Sequence, residues 1–408
     1  VAAGDNALSR SASAPFSYYL GTVGASSAAI GLQNILYPWL VVSYLGLDGQ
    51  HLGLAQMATM VPHLLLILLG GALSANRRLS GYLSKLYLLY LLPFAALIVL
   101  VQVAELRFWQ LTLFGCAFGV VSAFIQPARE ALLPQVSSRG MQQNVAKIAL
   151  VQFSAQTLGM LAAGFFEVVG LQSLLMIQGG LFVAASLLVR RTLSPEVGGR
   201  RETGKRESIR AGVAMVWGHP NLRPLMALVA ATGFLGIGAY VVVVPVLAKE
   251  IYGLDAIYFA AMQLCFTLGV LASNLGLMGM ARGFRRPGRL LLLSLLLRGG
   301  LIASLALLPP LWLTMPMLVA WGVLSGLSMT LGRTLAHEEA AGDYLSRVMS
   351  IYQLSLLGSA PLGAGFAGVI TGQFGVDGTL VVLGGLTVVA AVAGIAGSGL
   401  WRLSRWAP

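Results

Sequence analysis

The chain has 408 residues, of which 57% are hydrophobic and only 10% are charged, and its mean hydropathy is +0.82. A soluble domain carries about 25% charged residues, so this chain is too apolar for water; fifty glycines, two cysteines and long uncharged runs also exclude a disulfide-stapled or disordered chain. The net charge of +12 would suit a nucleic-acid partner, but the placement of the basic residues proves topological.

Lipid offers the backbone no hydrogen-bond partners, so each crossing must be a helix of roughly 20 residues or part of a closed barrel. Alternating strand patterns are absent. In chain order, apolar runs between charge, proline and glycine breaks predict helices over 17–45, 52–73, 81–103, 108–128, 141–166, 171–190, 222–247, 256–281, 289–308, 310–332, 347–371 and 378–401. Twelve spans put both termini on one side. Of 26 Lys and Arg residues, Arg107 and Lys249 fall in odd-numbered loops, Arg298 falls deep inside a span, and the other 23 lie at the termini, in even-numbered loops or in the span ends that border those loops. The positive-inside rule then places both termini in the cytoplasm and the chain in the cytoplasmic (inner) membrane, with no nucleic-acid role. No secretory signal peptide is expected before the first span. Cys116 and Cys265 sit in separate spans without CxxC spacing and read as packed thiols.

The pattern implies a bundle over 1–190, a basic cytoplasmic linker over 191–221 with a short interfacial helix at Ile209–Trp217, and a second bundle over 222–408. The halves echo each other. Gly71 precedes Arg77 and Arg78 by the same six residues that separate Gly279 from Arg285 and Arg286, and Gly164-Phe165 pairs with Gly365-Phe366. Such duplication, with sites between repeats, is a common transporter architecture.

Three stretches add a family likeness: Tyr37 to Val41 ending helix one, Gln126 to Pro134 closing helix four, and Arg347 to Tyr352 running on to Pro361 in helix eleven. With the twelve spans, the chain resembles the major facilitator superfamily, and these stretches resemble its branch of enterobactin-type siderophore exporters and macrolide efflux pumps. The resemblance implies an all-α membrane protein of two pseudo-symmetric six-helix bundles, alternating access, and a cavity lined by helices one, four, seven and ten. Where that family usually has an acid in the loop after helix two, this chain has Ala75. The expected cytoplasmic gate is therefore Arg77, Arg78, Arg129, Glu130, Glu338 and Arg347. The branch often carries an acid in helix one, where this chain reads Ile30 to Asn34.

A polar group in hydrocarbon is expensive, so function should concentrate on the few within spans. The expected substrate cavity takes Gln33, Asn34, Tyr37, Gln126, Gln152, Gln156, Tyr240, Gln263 and Trp321, neutral and aromatic surfaces suited to a bulky, partly apolar solute. Interhelical hydrogen bonding is the competing role for each. Arg298, near the bilayer midplane, either binds an anion or pairs with a neighbouring helix; His63 is a candidate proton site and Glu167 a second. The GxGxxG run of Gly363, Gly365 and Gly368 lies in an apolar span with no preceding strand, so it reads as helix packing rather than nucleotide binding. No HExxH, GxSxG or Walker A lysine is present, so neither an enzyme, a metal site nor a cofactor is expected. The chain reads as a secondary transporter exporting an amphipathic small molecule, with protons as candidate coupling ion; a lipid flippase and a transport-inactive sensor or scaffold are the alternatives.

Overall fold

The computed structural model describes residues 2–74, 78–103, 105–137, 141–192, 216–279, 286–340 and 345–402. Among them every regular element is a helix: α1 Ala2–Trp39, α2 Gly49–Ser74, α3 Leu79–Leu89, α4 Leu91–Val103, α5 Phe108–Val136, α6 Met141–Gly164, α7 Phe166–Val169, α8 Leu171–Arg190, α9 Leu222–Thr232, α10 Ala239–Val246, α11 Ala256–Gly279, α12 Pro287–Leu305, α13 Leu311–Glu339 and α14 Leu345–Gly397. π-Helical turns, Leu40–Tyr44, Gly233–Gly238 and Leu247–Ile251, extend α1 and flank α10. The expected linker lies largely outside the described residues, as do most of Ile209–Trp217 and Arg77 of the gate.

Nine segments among the described residues are long and apolar enough to cross a bilayer. Two of them, Leu79–Val103 and Leu222–Ile251, join shorter helices. The last, Arg347–Gly397, is 51 residues long, more than twice the length one crossing needs. Gly375 breaks it: φ 73° and ψ −178° are non-helical values that glycine adopts without steric cost. That break falls in the gap expected between 371 and 378. α1 and α2 cover the first two expected spans. Outward side chains such as Leu65, Leu92, Leu113, Leu158, Leu297 and Val389 are more than half exposed, so the helices present hydrocarbon outward as a lipid-facing surface requires. The protein is an all-α, multi-pass membrane protein.

The chain divides into two compact units. The first comprises Val1–Gly46, Ala58–Glu202 and Asp255–Ala260; the second comprises Leu47–Met57, Thr203–Leu254 and Ala261–Pro408. In the first, α1 and α6 cross so closely that a Cβ on Gly31 would strike the Gln156 carbonyl, and one on Gly159 the Ala28 carbonyl. Phe182 of α8 anchors the interior, stacked 4.3 Å from Tyr90 and packed near Phe94 and Phe118, with Phe114 edge-on to Phe94. In the second, Gly233 lies against the Leu356 carbonyl and Gly363 against that of Phe234, with a core of Leu225, Leu291, Leu292, Leu295, Leu335 and Val348. Small residues at crossings let backbones touch, which is how helices associate where lipid removes the hydrophobic drive.

The internal echo extends to backbone geometry. α1 ends in the π-turn Leu40–Tyr44 before Gly46 at φ 62°, and α10 ends in the π-turn Leu247–Ile251 before Gly253 at φ 61°. Each glycine opens a Gly-Leu-Asp sequence, Gly46 to Asp48 and Gly253 to Asp255, followed by a new helix. The new helix starts differ in their caps. Asp48 caps its own helix, accepting from the His51 N–H at 3.1 Å, whereas the Ala256 N–H donates to the Glu167 carboxylate from α7 at 3.0 Å.

Candidate functional site

The second unit holds a cavity of about 650 Å³. One face of α13 lines much of it, because Thr330, Arg333 and His337 recur at helical spacing; Asn274 of α11 and Gln353 of α14 face them. Thr330 donates to Asn274 Oδ1 at 2.7 Å, fixing the amide. Glu338 also lines this cavity, while Arg347, half-buried, begins α14. The wall therefore mixes both charges with amides, hydroxyls and the side chains of Met329, Leu356 and Leu357.

Three of the expected cavity residues converge elsewhere in the same unit. The Tyr240 hydroxyl of α10 donates to Gln263 Oε1 of α11. The Tyr240 ring stacks on Phe266 with centroids 4.0 Å apart and meets Trp321 of α13 edge-on at 5.6 Å and 89°. Trp321 is almost fully buried and its Nε1–H has no acceptor. Trp321 precedes Thr330 by nine residues, or roughly 13 Å along α13 at 1.5 Å per residue.

In the first unit the expected residues disperse among neighbours. Gln33 accepts from Gln178 Nε2 at 2.9 Å, and that same amide nitrogen reaches the Ala29 carbonyl. Tyr37 directs its hydroxyl at Thr59 and at Gly115, where a Cβ would occupy the same space. Asn34, Gln152 and Gln156 are half-buried. His63 Nδ1 lies 2.6 Å from the Ser122 hydroxyl, and Gln126 of the same helix, α5, reaches its neighbour Glu130 at 3.5 Å. The Arg129 carbonyl accepts from the Tyr19 hydroxyl at 3.0 Å, and Arg78 is exposed. Glu167 is exposed and spends an oxygen on the α11 N-terminus.

Arg298 is a charged residue left outside this pairing. It lies midway along α12, 1% exposed, and its Nε and Nη1 donors have no partner. Its tip faces the π-helical turn Gly233–Gly238: a Cβ on Gly236 would stand 3.3 Å from Nη1. Arg333 and His337 lie outside the expected cavity because basic residues near a span end read as topology; Asn274 and Gln353, neutral amides within spans, were passed over. Gln178 escaped because the other amide of its helix, Gln172, lies six residues away and so off its face.

Apolar helix bundles with polar groups gathered inside define a multi-pass helical membrane protein. The model of the Major Facilitator Superfamily matches residues 20–357, and the chain belongs to that superfamily; it is a secondary transporter and not an enzyme. No curated protein matches it. Among solved structures it is similar to the nucleoside transporter NupG, at 11% identity and a TM-score of 0.75 over 96% of this chain and 100% of that one. It is also similar to a bacterial homologue of the human lysosomal transporter Spinster, at 14% identity and 0.72 over 97% and 99% of the two chains. A bacterial metal transporter matches at 14% identity and 0.66 over 94% and 98%. At these identities the likeness is one of fold.

Proposed function

We propose that the protein exports an amphipathic small molecule, siderophore-like or drug-like, from the cytoplasm by alternating access. The observation that carries this reading is the pairing, inside one unit, of a 650 Å³ cavity with mixed polar walls and an aromatic cluster built on Tyr240, Phe266 and Trp321. A small ion needs neither; a solute with an apolar body and a few hydrogen-bonding groups uses both. Protons are the proposed coupling ion, with His63 as the site, since its ring already shares a hydrogen bond with Ser122. The basic termini and even-numbered loops face the cytoplasm in this reading, which assigns Arg78, Arg129, Glu130, Glu338 and Arg347 as gate residues on that side; Arg77, also assigned, lies outside the described residues.

The test is transport in proteoliposomes, with a catecholate siderophore and a macrolide as probes under imposed pH and sodium gradients. Counterflow of either probe, accelerated by an inward proton gradient and reduced at least tenfold by Trp321→Ala, is the expected result. Flux that ignores both gradients removes the antiport part of the reading. Movement of a fluorescent phospholipid instead of the probes replaces export by lipid flipping.

A further inference from the structure

Among the described residues the carboxylates of the second unit sit at element ends: Asp48 just before α2, Glu250 in the π-turn after α10, Glu338 and Glu339 at the last turn of α13, and Asp377 just past Gly375. Arg298, in the middle of α12, has none of them as a partner. A buried guanidinium with two unmet donors is expensive, and a planar carboxylate answers it best, because the flat fork of donors matches the two oxygens.

The surroundings suggest what the carboxylate is attached to. Gly236 lies against the guanidinium, and Tyr240 follows it by four residues, close to one turn or roughly 5 Å along the helix. On α13, Ser328 bonds Ser294 at 2.9 Å; because Arg298 is one turn beyond Ser294 on a helix joined to α13 by a short connection, the opposite turn of α13 is the one holding Ser325, and Trp321 is the next. The charge thus sits about one turn from the stacked rings. The wall between them is a π-helical turn, a distortion that occurs frequently at functional sites.

A closed cleft adjoins the large cavity on the side of Arg298. Met329, Tyr352 and Leu356 line the large cavity and also a cleft, too tight to admit a water molecule, whose other walls include Thr232 and Ser328. Thr232 is one turn before Gly236, and Ser328 touches the residue one turn before Arg298. The Tyr352 hydroxyl donates to the Met329 carbonyl at 2.8 Å, tying together two of the residues that the cavity and the cleft share.

We propose that Arg298 anchors the carboxylate of an aromatic organic anion whose ring is held by Tyr240, Phe266 and Trp321, entering from the large cavity once the Tyr352–Met329 hydrogen bond opens. The inference names the substrate class for the transporter reading above and rests on it for the direction of travel, but the binding it predicts needs no flux.

The experiment is isothermal titration calorimetry on the full chain in nanodiscs of neutral phosphatidylcholine, with 2-naphthoate and its uncharged counterpart 2-naphthamide as probes. The naphthoate is expected to bind at least tenfold more tightly than the amide. Arg298→Gln abolishes that preference and Arg298→Lys keeps part of it, while Trp321→Ala weakens both probes alike. Gly236→Ala, which crowds Nη1 without removing charge, weakens naphthoate selectively and serves if the Arg298 variants do not fold. Equal affinity for the two probes in the natural chain, or an undiminished preference in Arg298→Gln and Gly236→Ala, overturns the proposal. Counterflow of a neutral macrolide with no naphthoate binding refutes the anchor and leaves the transporter reading standing; naphthoate binding through Arg298 with no counterflow does the reverse.

Discussion

In the first unit Gln178 bonds both Gln33 and the Ala29 carbonyl and Ser84 bonds Ser186, whereas the second unit buries a guanidinium whose Nε and Nη1 meet nothing. The first unit has leftovers too, at Gln33 Nε2 and Gln178 Oε1, but they are neutral. An unmet amide atom is a modest loss. An unmet charge costs far more, because burial strips the hydration of a full ion. The comparison teaches that polar residues buried on apolar helices divide into groups that pair with one another and a charge that the described residues leave unpaired.

The largest expected effect tests that division by sign. Arg298→Met removes an unpaired charge and leaves a side chain of similar length, so the unliganded protein is expected to gain stability, on the order of the 1–4 kcal/mol gained when a buried ion pair is replaced by apolar groups. Gln178→Leu removes two hydrogen bonds and leaves Gln33 Oε1 without its donor, so it is expected to lose about 1 kcal/mol, at roughly 0.6 kcal/mol per interhelical bond. Thermal unfolding in detergent, followed by intrinsic fluorescence, reads both. Destabilisation by Arg298→Met would mean that the guanidinium is a structural member and that the contrast between the units is false.

Much of the fold was legible because hydrocarbon immersion leaves few alternatives. Uncharged runs of about twenty residues had to be helices, and the gap between 371 and 378 announced the break that Gly375 makes. The π-turns were not legible, since no local residue pattern distinguishes Leu247–Ile251 from ordinary helix; only the matching turn at Leu40–Tyr44 reveals it as a repeat feature. The site was legible in part. Tyr240, Gln263 and Trp321 stood out as polar or aromatic residues within apolar spans, and they meet. Depth marked Arg298 as unusual, but whether it had a partner depends on three helices far apart in sequence. Arg333 and His337 were hidden by the rule that revealed the topology, because a basic residue at a span end serves both orientation and a cavity wall.

A second test asks whether the units are equal where the fold requires it. Gly31 and Gly363 each face a backbone carbonyl of the neighbouring helix, which cannot swing aside as a side chain would. Gly31→Val and Gly363→Val should therefore each cost roughly 1–3 kcal/mol through overpacking, with lowered yield of monodisperse protein on size-exclusion chromatography. Similar losses sharpen the comparison, confining the difference between units to their polar interiors. A large loss for one and none for the other would show that only one crossing is tight.

The smallest effect concerns the two Gly-Leu-Asp turns. Burial alone would raise the Asp48 carboxyl, but hydrogen bonds from the His51 ring, at 2.6 Å, and from its backbone N–H bring it below the ordinary carboxylate range. A carboxyl lowered in the folded state stabilises the fold above its unfolded pKa, near 3.9, and that contribution fades as pH falls through the lower folded value. Asp48 is about half exposed, at 52%, so solvent screening holds the contribution below about 1 kcal/mol. Asp48→Asn should thus lower the unfolding temperature slightly at pH 6 and converge with the natural chain below pH 3. Asp255→Asn should change neither, because the turn at Asp255 bonds through its backbone carbonyl to the Tyr258 and Phe259 N–H groups, while Glu167 supplies the carboxylate for the Ala256 N–H. Equal responses at Asp48 and Asp255 would show that the duplicated turns are capped alike in solution, and the distinction drawn between them would fail.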